Sequence, residues 1–197
     1  MSLQAPLDPL STVARGVLKS NLDTSYGRLT ASVADLSVPS VEGQLLKLTP
    51  QTVFAKPPVD DKAATCVLAG LWLWHDFLDR AHKLVQNVPT SSGSFWHAII
   101  HRREGDFWNS KYWYARCANH PILPSLAANA AGALNPHPAD ASLLRLTHQG
   151  WDADAFVELV EAVHQSPEDP RHDLCVQLQQ LEWRLLFDHD LRTAAGV

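Results

Sequence analysis

Apolar positions recur at helical spacing through most of the chain after residue 62, and strand-like alternation never survives for more than a few residues. From Ala63 to Asn87 the pattern is strongly helical with no interrupting proline, so one continuous helix is expected there. Pro89 and the Thr90-Ser91-Ser92-Gly93 stretch end it with a turn. Ser94 to Arg103 forms a second helix with Ser94 as its cap, and Gly105 breaks it. Asn109 caps a third helix that runs to about Asn119 and is stopped by Pro121. The looser stretch after it holds a weak helix over Ala127 to Leu134. Two further segments follow: Asp140 to Gln149, ended by Gly150, and Asp152 to His164, capped by Trp151 or Asp152. The last helix spans Pro170 to Leu191, with Pro170 suited to its first turn and Leu174, Leu178, Leu181, Leu185 and Phe187 on its apolar face. The expected fold class is all-α: a single helical domain of about six to eight helices with an irregular N-terminal arm.

That arm is residues 1–62. A short helix is expected within Asp8 to Lys19, where Leu10, Val13, Ala14, Val17 and Leu18 share helical spacing, and another over Val41 to Leu48 with Ser40 as its cap. Gly27, Pro39, Gly43, Pro50, Pro57 and Pro58 punctuate the rest too often for long elements. No run in the arm can close a core alone, so it is expected to wrap a helical core formed by residues 63–197.

Composition narrows the setting. At 46% hydrophobic and 19% charged residues the chain is an ordinary globular one. Its net charge of −5, without a basic stripe, argues against nucleic acid as a partner. The longest apolar run, Cys66 to Trp74, falls well short of the roughly 20 residues that cross a bilayer, and no basic residue precedes an apolar stretch at the N-terminus. Cys66, Cys117 and Cys175 are far apart, which argues against a disulfide scaffold and a thiolate zinc site. A reduced, cytoplasmic protein is the expectation.

The polar residues that carry chemistry concentrate between His75 and His120. On one continuous helix His75, Asp79 and His82 stand at i, i+4 and i+7, within about 60° of one another, on the stripe that also carries Leu68, Leu71 and Leu78. His97 and His101, one turn apart, repeat the theme on the next helix. Facing helices build metal sites from such side chains, and histidine with carboxylate suits zinc, manganese or iron. The candidate ligands and acid–base groups are therefore His75, Asp79, His82, His97 and His101, with Glu104 beside them. The alternative is a buried hydrogen-bonded histidine network without metal. Arg102, Arg103, Lys111 and Arg116 supply cations near the Asn109 helix start, where they either hold a small anionic ligand or pair with Glu104 and Asp106. Trp96, Tyr112 and Trp113 either wall a pocket for that ligand or belong to the core. Cys117 and His120, at i and i+3, have the spacing of a nucleophile and base but no sign of an activated thiol.

The strings His75-Asp76-Phe77-Leu78-Asp79 with His82, Phe95-Trp96-His97-Ala98-Ile99-Ile100-His101-Arg102-Arg103-Glu104-Gly105-Asp106 and Asn109-Ser110-Lys111-Tyr112-Trp113 resemble a family of uncharacterised bacterial and fungal all-α proteins. Gln180-Leu181-Glu182-Trp183 and Leu185-Leu186-Phe187-Asp188 resemble its closing helix. The resemblance runs from Ala69 onward and implies where the site lies; it implies no activity. Three functions remain open from the residues: a metal-assisted hydrolase or lyase acting on an anionic small molecule, a non-catalytic module for an anionic ligand or peptide, and a structural protein with a buried histidine network.

Overall fold

The computed structural model describes residues 8–20, 26–30, 39–117, 119–134, 140–166 and 168–197. Among them the chain is all-α and forms ten α-helices around one core: α1 (Thr12–Lys19), α2 (Pro39–Leu45), α3 (Asp61–Trp74), α4 (Leu78–Val85), α5 (Ser91–Glu104), α6 (Phe107–Tyr114), α7 (Leu123–Leu134), α8 (Ala141–Arg145), α9 (Ala153–His164) and α10 (His172–Ala195). No helix among the described residues is long and apolar enough to cross a membrane.

The expected helix over Ala63 to Asn87 is two helices. α3 stops at Trp74, and Asp76 adopts a left-handed φ of 63° that reverses the chain before α4 begins. Aspartate is among the few side chains that tolerate this conformation, and here its carboxylate accepts a 2.5 Å hydrogen bond from Arg103 Nη2 on α5. The break is therefore fixed by a tertiary ion pair, of which the hydrophobic period carries no trace.

Caps also sit earlier than the pattern placed them. Thr90, not Ser94, caps α5, its Oγ1 accepting from the Gly93 amide at 3.0 Å. Asp106, not Asn109, caps α6. A polar residue four positions before the expected cap takes over in α5 and one three positions before it in α6, so each helix gains its first turn. α5 ends at Gly105, whose φ of 78° supplies the left-handed residue that closes a helix C-terminus. α6 gives way to a 3₁₀ turn at Ala115–Cys117, well short of Asn119. α10 runs beyond Leu191 to Ala195, and Pro170 precedes its first turn instead of joining it.

α5 is the central helix, buried from Phe95 to Arg103, with α3, α4 and α6 packed around it. α10 packs along α3, where the pair approaches closely at Gly70: a Cβ there would stand 2.9 Å from Phe187 Cδ2. Trp183 Nε1 donates to the Gly70 carbonyl at 3.0 Å, so the missing side chain also admits a hydrogen bond between the helices. The arm joins the same core: Leu10, Val17, Leu18, Tyr26 and Leu45 are buried in it, and Val59 N donates to the Ala194 carbonyl at 2.8 Å.

Candidate metal centre

α4 lies against α5, and three imidazoles meet at their contact. His97 and His101, one turn apart on α5, stack with ring planes 7° apart and centroids 5.1 Å apart. The His82 ring stands edge-on to both, at 4.5 Å from His97 and 5.0 Å from His101. One nitrogen from each ring can be chosen so that all three lie within 4.8 Å of one another. His82 Nε2 and His97 Nε2 are 2.6 Å apart, the separation of a shared proton.

Carboxylates and an aromatic wall complete the site. Glu104 Oε1 lies 3.7 Å from His82 Nδ1, Glu104 Oε2 lies 3.3 Å from His101 Nδ1, and Asp106 Oδ2 lies 3.5 Å from the same nitrogen. The Trp113 ring from α6 stacks on His97 at 4.0 Å, with planes 15° apart. His97 and His101 are buried, whereas 31% of the His82 side chain and 43% of the Asp106 side chain face solvent, so the cluster opens on one side.

Burial disfavours the charged form of His82 and of His97. It pushes His97 down to about 4, helped by the adjacent His82 and His101. Burial also lowers His82, with Glu104 opposing it. Neutral imidazole is the form that binds a metal, so the environment favours ligation over protonation at neutral pH. Three imidazoles suit a four-coordinate ion that keeps one position for water. With a proton on Nδ1 directed at Glu104, His82 presents the Nε2 lone pair to the cluster, the arrangement in which a carboxylate behind a ligating histidine fixes its tautomer.

The other candidate residues lie elsewhere. His75 follows the last turn of α3 and donates from Nε2 to the Val17 carbonyl at 2.9 Å, so it ties the arm to the core. Asp79 is exposed at the start of α4. The break at Asp76 is why His75, Asp79 and His82 do not line a single helix face. Arg102 and Arg103 are fully buried rather than poised for a ligand. Arg102 pairs with Glu182 at 2.5 Å and donates to Tyr114, while Arg103 pairs with Asp76 and lies 4.4 Å over the Tyr26 ring. Lys111 bonds Glu158 at 2.9 Å. Arg116 lies over the Tyr112 and Trp113 rings at 4.1 and 5.5 Å. Trp96 is core and donates to Asp190 at 2.7 Å, whereas Tyr112 is exposed and stacks with Trp108. Cys117 and His120 form no dyad: burial pushes the thiol up to about 12, and His120 Nε2 lies 3.0 Å from Ser92 Oγ.

Two groups escaped the sequence reading in these roles. Asp106 faces His101, and only its place beside the helix-breaking Gly105 hinted that the chain turns back there. Glu182 on α10 anchors Arg102 and Tyr114 in the core, a contact across eighty residues with no local signal.

Fold and site together define a single-domain, all-α protein with a three-histidine cluster where α4 packs on α5. No protein-family model matches the chain, and neither a curated protein nor a solved structure matches it.

Proposed function

We propose that the chain binds one divalent transition-metal ion at His82, His97 and His101 and uses it for metal-assisted hydrolysis of a small anionic molecule. The convergence of three imidazoles from two helices carries this reading, with burial holding His82 and His97 below the ordinary imidazole value. Zinc and iron suit three imidazoles, and manganese suits them with a carboxylate added. The ion would supply a water activated at neutral pH, and Glu104 and Asp106, beside the Nδ1 atoms of His82 and His101, would orient the rings that hold it. The role first expected of Arg102 and Arg103 passes to Arg116, because Trp113 touches both Arg116 and His97. Three free, buried cysteines fit a reducing cytoplasmic setting.

The test is a panel of carboxylic and phosphoric esters assayed with protein loaded with each ion. Turnover that a chelator abolishes, that His97→Ala lacks and whose KM rises in Arg116→Ala is the expected result. Activity indifferent to chelation and to His97→Ala would overturn the metal mechanism.

A second reading has one observation in its favour. The 2.6 Å contact between His82 Nε2 and His97 Nε2 is a hydrogen bond in its own right, which would join α4 to α5 without any ion. Under that reading His97→Ala lowers stability, and added metal leaves the thermal midpoint of the wild type unchanged.

A further inference from the structure

α6 turns two large aromatic rings to water. Trp108 is 74% exposed and Tyr112 43% exposed, the aromatic members of the large apolar side chains left open among the described residues. They stand at i and i+4 with planes 12° apart and centroids 6.1 Å apart, and Arg116 at i+8 lies over the Tyr112 ring at 4.1 Å. The rest of α6 has partners within the chain: Ser110 donates to the Ala98 carbonyl, Tyr114 donates to Glu182, and Trp113 stacks on His97. Lys111 and Arg145 share Glu158, which leaves Arg116 as the cation of this face with no carboxylate among the described residues.

Trp, Tyr and Arg are the residue types that dominate binding energy where proteins meet. A convex helix face gives a small molecule no concave site, so the occupant that fits is another protein surface.

The row is its own complement. When two helices pack through their i, i+4 ridges, those ridges lie alongside each other. A second copy turned end for end about a two-fold axis at Tyr112 exchanges the residues four places on either side. Arg116 of each copy then meets Trp108 of the partner subunit, and the two Tyr112 rings meet at the axis. An indole face is the best aromatic partner for a cation. Ala115, exposed and small beside Tyr112, lets the second helix come close, and the charge of Lys111 is already met by Glu158 at 2.9 Å. We propose that the chain forms a two-fold symmetric dimer through the exposed α6 row of Trp108, Tyr112 and Arg116. Such an interface uses one patch on both copies, the commonest way soluble chains pair. Stacking occupies the faces of the guanidinium and leaves its in-plane N–H groups open, so the contact is compatible with an anion at Arg116. α6 is only about 12 Å long, so the interface is small and the dimer weak, with a Kd on the order of tens of micromolar. It needs no metal and stands whether or not the histidines hold one.

Sedimentation velocity on the full chain, from about 1 µM to about 500 µM, measures it. The wild type is expected to pass from monomer to dimer over that range, with or without a chelator. Trp108→Ala should weaken the dimer at least about tenfold, as loss of a central interface ring does. Leu46→Ala, which trims an exposed apolar side chain on the arm, should leave it unchanged. Trp108→Arg sets two cations together and should abolish the dimer, and adding Arg116→Glu to it should restore pairing. Tyr112→Cys tests the axis: the three native cysteines are buried, so under mild oxidation the introduced thiol should join two copies in a disulfide, whereas Leu46→Cys should not. The proposal is overturned if the wild type stays monomeric throughout, if Trp108→Ala dimerises as tightly as the wild type, or if Tyr112→Cys cross-links no faster than Leu46→Cys.

Discussion

Buried charge is handled residue by residue, and each pairing has a different consequence. Arg102 and Glu182 are both fully buried, with Tyr114 donating to the same carboxylate. Removing one partner leaves an uncompensated charge, so Glu182→Gln should cost about 3–5 kcal/mol in urea unfolding. The double variant Arg102→Met, Glu182→Leu should cost less than the two single changes combined, because it strands no charge. At Asp76 the backbone and the ion pair can be separated. Asp76→Asn keeps tolerance for the left-handed φ of 63° and an acceptor for Arg103, whereas Asp76→Ala loses both and should be the more destabilised of the two.

Asp190 is pushed up to about 7 by burial, from an ordinary value of 3.8, while accepting from Trp96. The unfolded chain ionises this group at lower pH than the folded one does. Its contribution to stability is therefore full below the unfolded value and is lost as pH rises through about 7. Asp190→Asn stays neutral throughout, so relative to wild type it should gain stability between about pH 4 and pH 7.5. Urea midpoints at those two values measure the gain.

At the scale of elements, α9 behind Asp152 and the end of α5 at Gly105 were legible, whereas the segment expected over Asp140 to Gln149 is helical only from Ala141 to Arg145. What was not legible is the break between α3 and α4, because Arg103, the residue that stabilises it, lies twenty-seven positions away. The same connection sets how α4 meets α5, and hence where His82 stands against His97. Gly93, in the first turn of α5, permits that approach: a Cβ would fall 2.2 Å from the Val88 carbonyl oxygen. Backbone must move to admit it, so Gly93→Ala should destabilise the fold by about 1–3 kcal/mol in urea titration.

At the scale of the whole molecule, the all-α class follows from helical spacing sustained over most of the chain. The placement of polar chemistry is only half readable in the same way. His97 and His101 share a face by spacing alone, and the structure keeps them together. His82 joins them through the α4–α5 contact, and His75 turns to the arm, where the Val17 carbonyl accepts its hydrogen bond. Arg102 and Arg103 adjoin His101 in sequence, yet they bond Glu182 and Asp76, because consecutive helical positions point in different directions.

The most direct measurement is the metal content of protein purified without an affinity tag or chelator, taken for the wild type and for His82→Ala and His97→Ala. Near one zinc, manganese or iron per chain in the wild type, lost in both variants, is the predicted result. A wild type that stays metal-free after all three ions are added back would contradict it, and the three rings would then be a hydrogen-bonded seam between α4 and α5.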